Sequence, residues 1–233
     1  MNRIGFWICS GLLSLASTAN AAIVVLDFEG VGDLASVNDF YNGGTDSVGN
    51  SGTNYGIAFT SASLAITDGD TKGQPRIGNF ANEPSPDTVL FFLTGDAATM
   101  NVDAGFDTGF SFFYSTNFNT GFVRVYDGPN GTGSVLAQID LRLNWQDGGC
   151  SGDPTGDFCN WDPIGVRFDG IARSVDFGGT LNQVGFDDIT LGSDVAGGVS
   201  VPVPGVPALL GAGMVGLVWS GRRSRGDRTV RRA

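Results

Sequence analysis

The chain of 233 residues has no histidine. That absence excludes Ser-His-Asp and Cys-His nucleophilic catalysis, and with them any histidine-ligated zinc or copper site. Basic side chains are also scarce away from the ends. Between residues 22 and 200 only Lys72, Arg76, Arg124, Arg142, Arg167 and Arg173 stand against twenty-three acidic residues, a net charge of −17 where the whole chain carries −11. A surface of that sign repels nucleic acid and anionic lipid and attracts cations. Glutamate is nearly missing: Glu29 and Glu83 are the only two, and the other acids are aspartates. Aspartate in Gly/Asn-rich loops serves turn chemistry, solvated charge or calcium ligation. Helical periodicity is nearly absent over the same stretch, which argues against a helical core.

What is present begins at the ends. Arg3 precedes a short apolar run over 4–15, and Ala19-Asn20-Ala21 is a small-residue cleavage pattern. Residues 1–21 therefore read as a secretory signal peptide, with signal peptidase the implied partner. Cys9 lies inside it without a Leu-x-x-Cys lipobox. Export leaves Cys150 and Cys159, and an even pair in an exported chain reads as a disulfide. At the other end, residues 195–200 form a small-residue linker to Val201-Pro202-Val203-Pro204. The two prolines hold that segment extended and out of any helix or central strand. An uncharged apolar run over 206–219, opened by Val206 and closed by Trp219, follows, then a tail with Arg222, Arg223 and Arg225. The run is just short of the roughly 20 residues that span a bilayer core. The arginines mark its cytoplasmic flank, so the bulk of the chain is expected outside.

This three-part order over 201–232 resembles the PEP-CTERM sorting signal of bacterial surface proteins. The resemblance implies recognition by an exosortase, a membrane cysteine protease that cuts near the motif and passes the protein outward. Val203 stands where the family's motif usually has glutamate. The implied itinerary is export across the inner membrane, transient anchoring, and then the cell surface or extracellular matrix.

The part between, 22–194, is long enough for one domain with a substantial core. Short alternating or apolar runs separated by Gly, Asn and Asp predict strands at 23–29, 56–61, 63–67, 89–94, 98–102, 108–115, 121–127, 135–143, 164–168, 174–177 and 183–191. Asp127-Gly128-Pro129-Asn130-Gly131-Thr132-Gly133 predicts a hairpin turn, with Asn-Gly supplying positive φ. The expected fold is all-β, a jelly-roll-like antiparallel β-sandwich, flanked by the signal peptide and a single short C-terminal transmembrane helix. The Gly/Asn/Ser-rich stretch 42–56 lacks the Gly-Lys-Ser/Thr of a phosphate-binding loop and reads as a plain loop.

Two sets of candidate site residues emerge. In a jelly roll the terminal strands often pair, which would bring Asp27 or Glu29 beside Asp187 or Asp188. Adjacent carboxylates repel unless a proton or cation lies between them, and hard anionic oxygens suit Ca²⁺. The arrangement resembles jelly-roll carbohydrate-binding modules, whose structural calcium often sits between the first and last strands. The central part is also similar to an uncharacterised group of PEP-CTERM proteins. They share a Val-Leu-Asp-Phe-Glu-Gly opening, an Asn-Glu-Pro-Ser stretch (Asn82 to Ser85 here) and a closing Phe-Asp-Asn-Ile-Thr-Leu-Gly, where this chain has Asp188 for the asparagine. The second set is Tyr41, Tyr55, Trp145 and Trp161, aromatics in or beside loops that could meet a polysaccharide. Three functions follow: a polysaccharide-associated binding module without catalysis, a structural matrix component, or a hydrolase or lyase using Asp carboxylates. No residue pair is marked as catalytic.

Overall fold

The predicted alternation becomes eleven strands. The computed structural model describes residues 23–69, 78–148, 150 and 156–198. The strands are β1 (Val24–Leu26), β2 (Ile57–Phe59), β3 (Ser63–Thr67), β4 (Thr88–Phe92), β5 (Ala97–Phe106), β6 (Phe110–Thr116), β7 (Gly121–Tyr126), β8 (Val135–Leu141), β9 (Asp162–Val166), β10 (Ala172–Gly179) and β11 (Val184–Leu191). Each overlaps one predicted run. The signal peptide 1–21, the Pro motif, the 206–219 run and the arginine tail lie outside the described residues. Among the described residues no helix is long and apolar enough to cross a membrane.

Two antiparallel sheets result. The first joins β3-β4-β11-β6-β9, with β1 also on β11; the second joins β2-β5-β10-β7-β8. The chain crosses between them repeatedly, so strands that are neighbours in sequence often lie in opposite sheets. Their inner faces supply the core. Phe110, Phe112 and Phe186 of the first sheet meet Phe177 of the second, all fully buried, with Phe177 and Phe186 centroids 5.1 Å apart. Burying such a ring stabilises by about 1.5–3 kcal/mol relative to exposure. Alternation is clean in β3 and in the first part of β5, where every second residue is buried.

The β7–β8 hairpin turns as its sequence requires. Asn130 (φ 53°) and Gly131 (φ 66°) both take left-handed backbone, a conformation that asparagine tolerates and glycine adopts freely.

Two irregularities position the site. β1 ends at Leu26, not at residue 29, because Phe28 takes φ 59° and turns the chain. On β11, Asp187 pairs with Phe113 and Thr190 with Ser111, so two residues oppose the single Phe112. This is a β-bulge, with Asp188 at φ 46°. It reverses the parity of the strand: Val184 and Phe186 face the core before it, Ile189 and Leu191 after it. Beyond β11 the chain stays on the sheet. Ser111 Oγ donates to Ser193 O, and Gly197 N–H donates to Thr190 Oγ1. The described residues of the expected linker, 195–198, form a turn tied back to β11 through Gly197.

Candidate functional site

The first and last strands pair as expected, Val24 with Leu191 and Leu26 with Ile189. Their irregularities coincide, since the β1 turn at Phe28 lies beside the β11 bulge. Phe28 directs its ring into the core against Tyr41 and Phe59. The flanking carboxylates then separate. Asp27 is exposed, Glu29 and Asp188 are half-buried, and Asp187 is completely buried.

A third segment closes the junction. Ser85 donates its N–H to Asp187 Oδ2 at 2.9 Å, and its hydroxyl lies 2.8 Å from Oδ1 and 3.0 Å from the Asp27 carbonyl oxygen. Asp188 N–H also donates to Asp187 Oδ1. Burial pushes the Asp187 carboxyl up to about 8, outweighing the donors from Ser85 that favour its charged form. Glu29 Oε1 accepts the N–H groups of Asp87 and Thr88 at 2.9 and 2.8 Å. Burial raises this carboxyl too, against the pull of those two donors. Three stretches far apart in sequence, around Asp27, Ser85 and Asp187, thus meet in space.

These bonds test the calcium expectation. An N–H donor to a carboxyl oxygen satisfies one of its acceptor positions. Asp187 and Glu29 are engaged in this way, and among the described residues no three acidic side chains converge on one point.

Beside the junction lies an open cleft of about 260 Å³, lined by Asp27, Glu29, Tyr41, Ser51, Thr53 and Tyr55 among others. Half of each predicted set therefore comes together here. The loop 42–56 forms one wall and is firmly held. Asp46 accepts from the N–H groups of Gly32, Val48 and Asn50, and Tyr55 N–H donates to Tyr41 O. Burial works to raise the Asp46 carboxyl, but these donors together hold it below its usual value. Tyr41 is only 4% exposed; its hydroxyl accepts from Phe28 N–H at 2.8 Å and lies 3.5 Å from Asp27 Oδ1. Burial and the Asp27 charge push its phenol above the usual range, so it stays neutral. Tyr55 is 43% exposed and stacks on Tyr41 with centroids 6.2 Å apart. Of these two tyrosines, Tyr55 offers a face and Tyr41 braces it.

The tryptophans lie elsewhere. Trp145 is half-buried and meets Phe118 edge-on at 4.7 Å. Trp161 donates Nε1–H to Ala81 O and packs against Phe80, covering an apolar pocket with Val89, Phe91 and Val184. The Cys150–Cys159 disulfide is present, and Ala81 N–H donates to Phe158 O beside it. Phe158 and Trp161 thus help cover the outer face of the first sheet.

Ser85 and the backbone donors of Asp87 and Thr88 were not among the sequence candidates. One signal for the bulge was legible: apolar positions switch from even to odd numbers across Asp187-Asp188. The Asn82 to Ser85 stretch stood out only as a resemblance, with no local sign that Ser85 would meet a partner 102 residues away.

No family model matches the chain, and no curated protein matches it. Among solved structures it is similar to the K2 cleaved adhesin domain of Lys-gingipain, at TM-score 0.40 and 12% identity over 73% of this chain and 99% of that one. It is also similar to a glycoside hydrolase family 43 arabinoxylan arabinofuranohydrolase from Bacillus subtilis in complex with cellotetraose, at TM-score 0.36 and 15% identity over 58% of this chain. The chain spans 25% of the length of that hydrolase. Likenesses of this strength carry no argument about the cleft.

Proposed function

We propose that this is an exported surface or matrix protein whose sandwich binds polysaccharide at the Tyr55 cleft without catalysis. The observation that carries the reading is the exposed Tyr55 ring, braced by buried Tyr41, with Asp27, Glu29, Ser51 and Thr53 around it. A rigid aromatic face suits the C–H face of a sugar ring, and carboxylates and hydroxyls suit its hydroxyl groups. The strand order β4-β11-β6-β9 against β5-β10-β7-β8 supports the jelly-roll form of the sandwich.

The export itinerary rests on the sequence. The signal peptide, the Pro-Val-Pro motif, the apolar run and the arginines support handling by signal peptidase and an exosortase-type protease. The disulfide agrees with an oxidising destination. Binding at the cleft is proposed to be independent of Ca²⁺, since Asp187 and Glu29 already accept N–H donors.

Retention of the full chain on matrix polysaccharide from its host tests this. Tyr55→Ala is expected to weaken retention about 30-fold, the loss of roughly 2 kcal/mol typical of a buried aromatic anchor. Chelation with EGTA is expected to leave retention unchanged. Unaltered retention by Tyr55→Ala would remove the cleft from the binding surface. Release of reducing ends, abolished by Glu29→Gln, would replace binding with hydrolysis, which needs a carboxyl pair.

A further inference from the structure

The second sheet has an outer face that the cleft does not use. Strand register aligns its outward side chains in two rungs across four strands. One rung is Ala97, Gly178, Phe122 and Asp140; the next is Thr99, Asp176, Arg124 and Gln138. Their inward neighbours, including Ala98, Phe177, Val123 and Ile139, belong to the core. Four strands at about 4.8 Å spacing give a row of about 14 Å, the length of a short run of sugar units. The β7–β8 loop closes one end of the face. Asn130 exchanges two hydrogen bonds with Asn101, and Gly131 N–H donates to Ser174 Oγ.

The open part is preorganised. The Arg124 guanidinium lies over the Phe122 ring, 4.1 Å from its centroid. The tip of that ring rests where a side chain at 178 would begin; a Cβ there would stand 2.2 Å from Phe122 Cζ, so a larger residue would displace the ring. Arg124 Nε donates to Gln138 Oε1 at 3.1 Å, and Gln138 Nε2 donates to Asp140 Oδ1 at 2.9 Å. Thr99 Oγ1 donates to Asp176 Oδ1 at 2.7 Å. Arg142 and Arg167 are held by Asp147, Asp162 and Asp194, whereas Arg124 makes no ion pair with a described carboxylate.

We propose that the Phe122–Arg124–Gln138–Asp140 face is a second saccharide surface, which takes a neutral, hydroxylated polysaccharide chain laid across the strands. A sugar hydroxyl both donates and accepts, and this face sets the donors of Arg124 and Gln138 beside the carboxylate acceptor of Asp140. The flat guanidinium–phenyl stack suits the C–H face of a sugar ring. The net charge of −17 over 22–200 disfavours a polyanion, so a neutral chain is the matching occupant. The surface shares no residue with the Tyr55 cleft and stands or falls without it.

Affinity electrophoresis of the full chain, in gels containing dextran, hydroxyethylcellulose or galactomannan, tests the proposal, with anionic carboxymethylcellulose as the contrast. Retardation is expected in at least one neutral gel and is expected to persist in Tyr55→Ala. Adding Arg124→Ala or Gln138→Ala to that variant is expected to reduce the apparent affinity at least fivefold with Tm unchanged. No retardation in any neutral gel overturns the proposal. So does stronger retardation by carboxymethylcellulose, complete loss in Tyr55→Ala alone, or indifference to both further substitutions. Loss in Arg124→Ala with no effect of Tyr55→Ala supports this surface and removes the cleft.

Discussion

The two sheets treat their outer faces differently. In the first, β4 is buried at every position and β11 at all but one. Trp161, Phe80 and Phe158 cover one part of it, and residues 193–198 lie across another. In the second, β8 is exposed or half-exposed at five of its seven positions, and β7 alternates over its first five residues. Over β4 and β11 the first sheet packs on both faces, and Asp187 there is bonded internally by Ser85. The second packs chiefly through one face and holds Arg124, Gln138 and Asp140, bonded to one another, on the other. Ligand contact is therefore expected on the open sheet and at the cleft beside the rim of the covered one.

The sharpest way to break this contrast is to damage what both sheets share. Phe177→Ala, at the meeting of the two inner faces, is expected to cost about 3–5 kcal/mol and to lower Tm for the whole sandwich in one transition. Two separate transitions would show that the sheets unfold independently. Replacing both Cys150 and Cys159 by Ala is expected to cost about 2–3 kcal/mol. Hydrogen exchange should then speed up around Ala81 and Trp161 but not in β7 and β8. Uniform acceleration would mean that the covering loop supports both sheets equally.

The buried carboxyl gives a pH test that belongs to the covered sheet alone. Unfolded, Asp187 titrates near 3.8; folded, it is pushed up to about 8. Between those values the folded chain holds a proton that the unfolded chain releases. The contribution of Asp187 to stability is thus complete below about pH 4 and is lost as pH rises through about 8. The difference in Tm between the natural chain and Asp187→Asn is expected to shift against the natural chain from about pH 5 to about pH 9. Parallel curves would show that Asp187 is ionised throughout. The smallest effect is expected on the open face: Gln138→Ala should change stability by no more than about 0.5 kcal/mol, read from Tm. A larger loss would mean that the Arg124–Gln138–Asp140 chain is structural.

Much of the strand plan was legible because its signals are local. The alternating runs Phe122-Val123-Arg124-Val125-Tyr126 and Val135 onward carry their own period, and Asn130-Gly131 specifies its own turn. The pairing of first and last strands followed from fold class. The site was less legible. Tyr41 and Tyr55 looked equivalent, yet one is a buried brace and the other an exposed face, because burial depends on which residues pack above each ring. The carboxylates looked like mutual neighbours in need of a cation. The bulge at Asp187-Asp188 and the turn at Phe28 instead place Asp187 and Glu29 against N–H donors from a distant segment.

Composition, period and turn chemistry were enough to establish an acidic all-β chain without histidine chemistry and with a disulfide between its two remaining cysteines. Those properties depend on residue type and on neighbours a few positions away. The tertiary structure decided which carboxylate is buried, which tyrosine is exposed and which sheet keeps a free face. Each of those outcomes depends on contacts between segments far apart in sequence, such as Ser85 with Asp187 and Gly178 with Phe122, for which no local pattern exists.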